Sequence, residues 1–494
     1  MIRTRICLYV LLLTPLAVYW QTIFHEYGLR DDYSHMREAT EEPGKLVRFT
    51  ASQGRPLYGA LLETTFAQVS NVDRLPWLRL TSVALLSLLA LALWRQLYQS
   101  GWTEIEAAVI GLGVVLLPAG QVVASWAVCW PHVLALLLAV AGFSAIETEL
   151  ERGGLKRLVA LLGGGLIYCL AGLLYQSDAL FAVVPIAAVL LVRTGREPLT
   201  DMRWSLIHLA TLVVGLAISY LLVKMMFVNG VFHESPRMQL ETNPLTKLGW
   251  FFWMPLSNAL ALYALRDNYN TGAAVFWIAV LVVVGIIGLG YRTAADRADL
   301  TARKKWLICL LVVPFLAHAA SLAAAERATG YRTLFALSGL VLVLLVFALR
   351  SLRLAERIKL SVYYASLGLL IVIAGVTANN NARTLIAEPQ GYEWEMVHNA
   401  VQRTTFKANT KVYVITPQLD DRSTERMFTD EFGSLSSDSN WVPKEMFKTA
   451  LRDRFGSKLP KGTGYTFASG PAEPAAKEYD LVIDMRKLKK LRAP

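Results

Sequence analysis

Apolar residues gather along this chain in runs of about 17–22, the length that carries a helix across a hydrocarbon core of about 30 Å. Eleven such runs can be drawn, at 6–24, 76–94, 105–123, 129–146, 158–175, 179–192, 204–228, 272–290, 306–324, 333–349 and 360–378. A transmembrane barrel would show short alternating segments instead. The pattern therefore predicts an all-α polytopic membrane protein with about eleven transmembrane helices. The stretch 249–264 is apolar but short, and reads as a re-entrant or interfacial helix with Trp250 and Trp253 at headgroup level.

Beyond Ala378 the pattern changes. Residues 389–407 have helical spacing, Lys411 to Thr416 alternates like a strand, and Lys444 to Phe455 is again helical. Tyr465 to Ala468 and Tyr479 to Met485 read as strands. This pattern divides the chain in two: a membrane domain over 1–379, with a long loop at 25–75, and a small α/β domain over 380–494. The second has about 110 residues, enough to fold as a unit.

Composition agrees with the membrane reading, at 54% hydrophobic residues and a mean hydropathy of +0.41. The net charge of +11 does not signal nucleic acid, because no basic patch is interleaved with aromatics. The cations collect in alternate loops: Arg3 and Arg5; Arg152, Lys156 and Arg157; Arg193, Arg196 and Arg203; Arg292, Arg297, Arg303, Lys304 and Lys305; Arg350, Arg353, Arg357 and Lys359. By the positive-inside rule these loops and the N-terminus are cytoplasmic. Loop 25–75, the turns near 124–128 and 176–178, loops 229–271 and 325–332, and all residues beyond 378 are then external. Arg3 and Arg5 precede an apolar run as in a signal peptide, but no small-x-small site comes after it, so an uncleaved first span is expected. Cys7, Cys129, Cys169 and Cys309 lie in or near apolar runs, with neither metal nor disulfide spacing.

Candidate chemistry sits on the external side. Asp31 and Asp32 stand about seven residues beyond the first span; adjacent carboxylates there serve as a general base or hold a divalent cation, and their repulsion raises one pKa. A solvated loop start or a helix cap would use the same dipeptide. In the same loop Gln53-Gly54-Arg55-Pro56-Leu57-Tyr58 makes a turn that presents a guanidinium, suited to phosphate or to a lipid headgroup. Glu326-Arg327-Ala328-Thr329-Gly330-Tyr331-Arg332 places two arginines against the positive-inside trend, as a phosphate clamp or as headgroup anchors. His132, Gln176 and Asp178 interrupt span ends and either line a cavity or are merely interfacial. The 229–248 loop, with His233, Glu234, Arg237 and Glu241, is a linker or a cover.

A cytoplasmic N-terminus, one span, an acidic pair opening a long external loop and many further spans resemble the membrane-embedded class C glycosyltransferases. The loop is most similar to bacterial O-antigen-modifying (serotype-conversion) glucosyl transferases, through Asp31, Asp32, Arg37, Gly54 and Arg55, with a second Arg-containing turn at Tyr331-Arg332. The resemblance implies transfer of a sugar, glucose or another hexose, from a polyprenyl-phosphate donor to a lipid-linked or cell-envelope glycan such as O-antigen or lipopolysaccharide, with inversion. It places the chain in the bacterial inner membrane with loop 25–75 and the C-terminal domain periplasmic. It carries over to Asp31 and Asp32 as catalytic and to Arg37, Arg55, Tyr331 and Arg332 as donor-binding; the residues' own chemistry adds Arg327 to the clamp and Gln53, Tyr58, His132, Gln176 and Asp178 as candidate cavity-lining residues. Metal use stays open, with Mg²⁺ or Mn²⁺ on the acidic pair as the candidate. Expected partners are the donor, a glycan or glycolipid acceptor, membrane lipid, and a flippase and a polyprenyl-phosphate glycosyltransferase encoded nearby. Two other readings compete: a polysaccharide or lipid transporter, disfavoured by the scarcity of mid-span charge, and an O-antigen polymerase or ligase, of which an early Asp-Asp pair is not the mark.

Overall fold

The computed structural model describes all residues except 1, 151, 153, 194–197, 268–272, 298–299, 328–329, 418–427, 429, 476 and 489–494. Arg196, Ala328 and Thr329 from the expected loops, and the side chains of Arg3 and Arg297, therefore lie outside the described residues.

Among the described residues eight helices are long and apolar enough to cross a membrane: Arg5–Phe24, Val72–Gln99, Ala127–Glu149, Gly154–Leu174, Thr200–Val228, Ala273–Ala295, Tyr331–Leu354 and Leu360–Arg403. The run drawn at 105–123 is two helices, Glu104–Leu116 and Pro118–Ser125, meeting at 54°. Pro118 causes the bend, because a proline inside a helix removes an N–H donor and clashes with the preceding turn. If that pair is one span the count is nine, against the expected eleven. The other two runs differ in form. The run at 179–192 is a short apolar segment, Gln176–Val192. The run at 306–324 is broken into Leu300–Leu311, Val313–Ala317 and Ala319–Ala323. The stretch 249–264 is short helical turns, Pro244–Phe251, a π-helical Phe252–Leu256 around Pro255, and Ser257–Leu260, with Trp253 exposed and Trp250 half-buried.

Local chemistry explains several boundaries. Thr103 accepts from the Glu106 amide at 3.3 Å while Glu106 accepts from the Thr103 amide at 2.8 Å, a reciprocal cap legible as T-x-x-E. The same Glu106 is buried, held by Arg350 at 3.1 Å and the Tyr363 hydroxyl, which ties three helices at one end of the bundle.

The last span continues through a π-helical turn, Ala382–Ala387, into the helix Glu388–Arg403. Three parallel strands come next, β1 (Thr410–Ile415), β2 (Tyr465–Gly470) and β3 (Leu481–Asp484), in the order β2-β1-β3. The helix Val442–Phe455 covers the sheet, with Phe447 on Phe467 at 5.4 Å and on Tyr465 at 5.3 Å. These elements lie where the alternation and helical spacing put them. This cap also rests on the 31–41 helix. Tyr33 stacks on Trp394 at 5.9 Å, and Arg452 donates to the Met36 carbonyl at 3.1 Å.

Candidate active site

The first helix ends at Phe24, and the buried Arg79 from the second span fixes the segment just beyond it. Its guanidinium donates to the carbonyls of His25 at 2.6 Å and Tyr27 at 2.9 Å and lies over the Tyr27 ring at 4.0 Å. Gly28 is needed next, since a Cβ there would meet the Tyr33 ring at 2.9 Å. The chain then turns through Arg30, a non-glycine residue at φ 42°, into the helix Asp31–Glu41.

The two aspartates in that first turn have different surroundings. Asp32 is fully buried, and both carboxylate oxygens accept backbone amides, Oδ2 from Leu29 at 2.9 Å and Oδ1 from Val128 at 3.1 Å. Burial pushes its pKa up to about 7; the two amides and Arg79 oppose the rise, and the Asp31 charge adds to it. The repulsion expected between neighbouring acids is thus the lesser cause. Asp31 is half-buried; Ser34 donates to its backbone carbonyl at 3.1 Å, while its carboxylate takes no hydrogen bond or ion pair from any described residue.

Arg55 and Arg332 also lack full partners. Gly54 takes φ +80° and a Cβ there would meet Met238 and Gln176, so the turn requires glycine. Gln176 donates to the Gly54 carbonyl at 2.6 Å. Arg55 then stands at the start of the helix Pro56–Phe66, which has no side-chain cap, so the positive helix end adds to the guanidinium. The Arg55 guanidinium lies over the Tyr175 ring at 4.1 Å, and its buried Nε has no partner. Arg332 comes after the buried Tyr331 in the turn Tyr331–Leu334 and lies over the Trp126 ring at 4.6 Å. Its nearest carboxylate is Glu431, at 3.9 Å.

Tyr58 joins the two arginines. Its hydroxyl donates to the Val128 carbonyl at 2.6 Å; burial raises its pKa, and the nearby charges of Arg332 and Arg55 oppose the rise. Its ring packs edge-on to His132 at 5.3 Å. His132 pairs through Nδ1 with Asp178 Oδ2 at 2.7 Å, both side chains being buried. Asp178 Oδ1 has no partner, and neither has Trp126 Nε1. Buried polar atoms are almost always satisfied. Here the orphans Asp178 Oδ1, Arg55 Nε and Trp126 Nε1 occur on residues of one neighbourhood, where a polar, anionic ligand would satisfy them.

Sequence reasoning missed the contribution of the cap. Glu431 is buried, pairs with Arg30 at 3.1 Å, and is pushed well above the ordinary carboxylate range by burial, with Arg30 and Arg332 opposing the shift and Asp430 and Asp31 adding to it. Asp430 Oδ2 accepts from the Tyr331 amide at 2.8 Å, and Phe432 packs edge-on to the Tyr331 ring at 5.6 Å. The strap 430–436 thus closes on the Asp31–Arg332 region. No local pattern marks it, since Arg30 and Glu431 are 401 positions apart.

Other predicted residues stand elsewhere. Arg37 faces the cap, held by Glu445 at 2.8 Å and Glu42 at 2.6 Å. Arg327 is exposed and pairs with Glu241 at 3.3 Å. The Tyr331 hydroxyl accepts from the Arg266 amide at 3.0 Å. Gln53 accepts from Arg237 at 3.3 Å, which ties the 229–248 loop to the Gly54 turn. The structure therefore gathers Asp31, Asp32, Arg55, Tyr58, His132, Gln176, Asp178 and Arg332, and does not bring Arg37 or Arg327 to them. Among the described residues no three His, Cys, Asp or Glu side chains are grouped as metal ligands, and Asp32 is committed to backbone amides.

No family model matches the sequence, and no curated protein matches it. Among solved structures, the apo form of the Archaeoglobus fulgidus oligosaccharyltransferase aligns over 95% of this chain and 64% of its own, with 13% identity and a TM-score of 0.45. The chain thus spans less than two thirds of that protein's length.

Proposed function

We propose that this protein is an inverting glycosyltransferase that moves a hexose from a polyprenyl-phosphate donor to a glycan or glycolipid acceptor, at the end of the bundle that carries Asp31. The reading rests on one observation: Asp31, a half-buried carboxylate with no hydrogen-bond or ion-pair partner among the described residues, acts on the buried Glu431, and Glu431 reaches Arg332 at 3.9 Å, whose charge acts together with that of Arg55 on Tyr58 and Asp178. In this mechanism Asp31 takes the proton of an acceptor hydroxyl. The freed oxygen pair attacks the anomeric carbon as the bond to the phosphate oxygen breaks. The electrons leave with the polyprenyl phosphate, whose charge Arg332 and Arg55 stabilise. Each preorganised donor to such a developing charge contributes about 3–4 kcal/mol. Asp178, held by His132, is left to accept from a sugar hydroxyl through its free oxygen.

Asp32 is not the base in this scheme. Its lone pairs are engaged by Leu29 and Val128, and its task is to fix the turn that presents Asp31. Among the described residues no three His, Cys, Asp or Glu side chains are grouped to hold a divalent cation, and this scheme routes no step through a metal. The enclosing bilayer, an O-antigen or lipopolysaccharide acceptor and a periplasmic cap belong to the same reading.

The test is transfer of labelled hexose from polyprenyl-phosphate hexose in membrane vesicles. Full transfer by Asp31→Asn would overturn the base assignment. Movement of the donor across the membrane without transfer would replace the reading with transport.

A further inference from the structure

The helix Pro198–Val228 runs between two ends of the bundle. At its far end Val223 and Phe227 pack with Leu57 and Met238, beside the Gly54 turn. At its near end, about 35 Å away at 1.5 Å per residue, Asp201 accepts from Arg193 at 3.2 Å and from Lys305. Lys305 also donates to the Arg193 carbonyl at 2.6 Å. Arg193 also pairs with Glu147 at 3.4 Å, so the two cations of this knot meet two carboxylates.

Beside this knot is a cavity of about 310 Å³ between the helices Val183–Val192, Pro198–Val228 and Leu300–Leu311. Its walls are mostly apolar, including Ala187, Leu190, Leu209 and Val313, and Lys304 lines it together with the paired Asp201 and Lys305. Across Met202 and Leu206, which line both, it adjoins an open apolar groove headed by Arg203. Lys304 and Arg203 are exposed, and neither has a carboxylate partner among the described residues. A cavity so apolar does not hold water, and its place against the helix Pro198–Val228, which is long and apolar enough to cross a membrane, supplies hydrocarbon. Two apolar channels meeting at two unpaired cations match a two-chain lipid with an anionic headgroup, and basic pockets between spans take such headgroups.

We propose that an anionic phospholipid docks here, one chain in the cavity, the other in the groove, and its phosphate between Lys304 and Arg203. This site is independent of the transfer reaction and lies at the opposite end of the bundle from it.

The test is native mass spectrometry of the full chain released from nanodiscs of equal phosphatidylglycerol and phosphatidylethanolamine. One retained phosphatidylglycerol per chain is expected. The double variant Arg203→Gln, Lys304→Gln should retain about 25-fold less, about fivefold for each cation. Ala187→Phe, which fills the cavity, should lower retention of either lipid. The double variant changes exposed side chains only, so it decides the matter even where Ala187→Phe fails to fold. Equal retention of the two phospholipids, retention unchanged in the double variant, or preferential retention of added polyprenyl phosphate over phosphatidylglycerol would each overturn the proposal.

Discussion

Two clusters of arginine and carboxylate lie within the first loop and its contacts, and they are built on opposite principles. At the seam with the cap, Arg37 is surrounded by Glu38, Glu41, Glu42 and Glu445, and Glu42 and Glu445 in turn hold Lys45 and Lys448. The Glu445 carboxyl is lowered below its usual range: burial, the largest single cause, raises it, and the hydrogen bonds and charges of Arg37 and Lys448 together outweigh that. At the site, Arg55 has no carboxylate within ion-pair distance among the described residues, Asp178 acting on it from farther off, and Arg332 has Glu431 at 3.9 Å with Asp430 beyond ion-pair distance. The first arrangement is complete and holds two parts together. The second is incomplete, and incompleteness is what a binding site for an anion requires. Residue type alone does not separate the two; the number of partners does.

The largest expected effect is on Asp31. Asp31→Asn should lower the transfer rate by about 10²–10⁴-fold, the usual worth of a positioned base, with the thermal midpoint of the purified protein unchanged. Asp32→Asn should act differently: an amide group facing the Leu29 and Val128 N–H donors leaves one of them unmatched, a loss of about 1–3 kcal/mol, read as a lowered midpoint. If both variants lose rate and keep stability, the division between the two aspartates fails.

Next is Arg332→Ala, expected to cost about 10²–10³-fold in rate, with donor binding weakened in a filter assay. Arg37→Ala should do the reverse. It strips Glu445 of its main partner at a half-buried seam, so stability falls by about 1–3 kcal/mol, while the rate per folded molecule holds. A rate loss in Arg37→Ala as deep as in Arg332→Ala would erase the contrast between the clusters.

The smallest effect is on pH dependence. Asp32 holds its proton up to about 7, against 3.8 ordinarily, and Glu431 is also raised. The folded chain therefore binds protons that the unfolded chain has released. This contribution to stability is complete below about pH 4 and lost as pH rises to about 7. Glu431→Gln should flatten part of that decline in a series of thermal midpoints. An unchanged slope would remove Glu431 from the account.

Much of the fold was legible in the sequence, and the exceptions have physical reasons. Run length and loop charge locate the long helices, and alternation locates β1, because both depend on neighbours in sequence. Pro118 was a visible signal for the bend that the straight run 105–123 ignored. The break of 306–324 had Pro314 as a weaker sign, but the interruptions at Val312 and His318 depend on packing. For the site, the Asp-Asp and Gly-Arg patterns led to Asp31 and Arg55. They did not tell Asp31 from Asp32, because the difference is made by the Val128 amide, 96 residues away. Nor did they separate Arg37 from Arg332, since partners such as Glu445 and Glu431 come from the cap. Chain-distant pairing has no local period to reveal it.

The helix that leaves the bundle as the last span does not end there; it continues from Leu360 through the π-helical turn Ala382–Ala387 as far as Arg403. At 1.5 Å per residue that is a column about 66 Å long. A cap hung on a coil would swing like a gate on a loose hinge. A cap carried on a column leans only when the column leans. Through Gln390, which donates to the Ser434 carbonyl at 2.7 Å, that column grips the strap that bears Glu431. The strap that pairs with Arg30 is thereby anchored to the span itself, so its place beside Asp31 is set by a helix of the bundle and not by the loop alone.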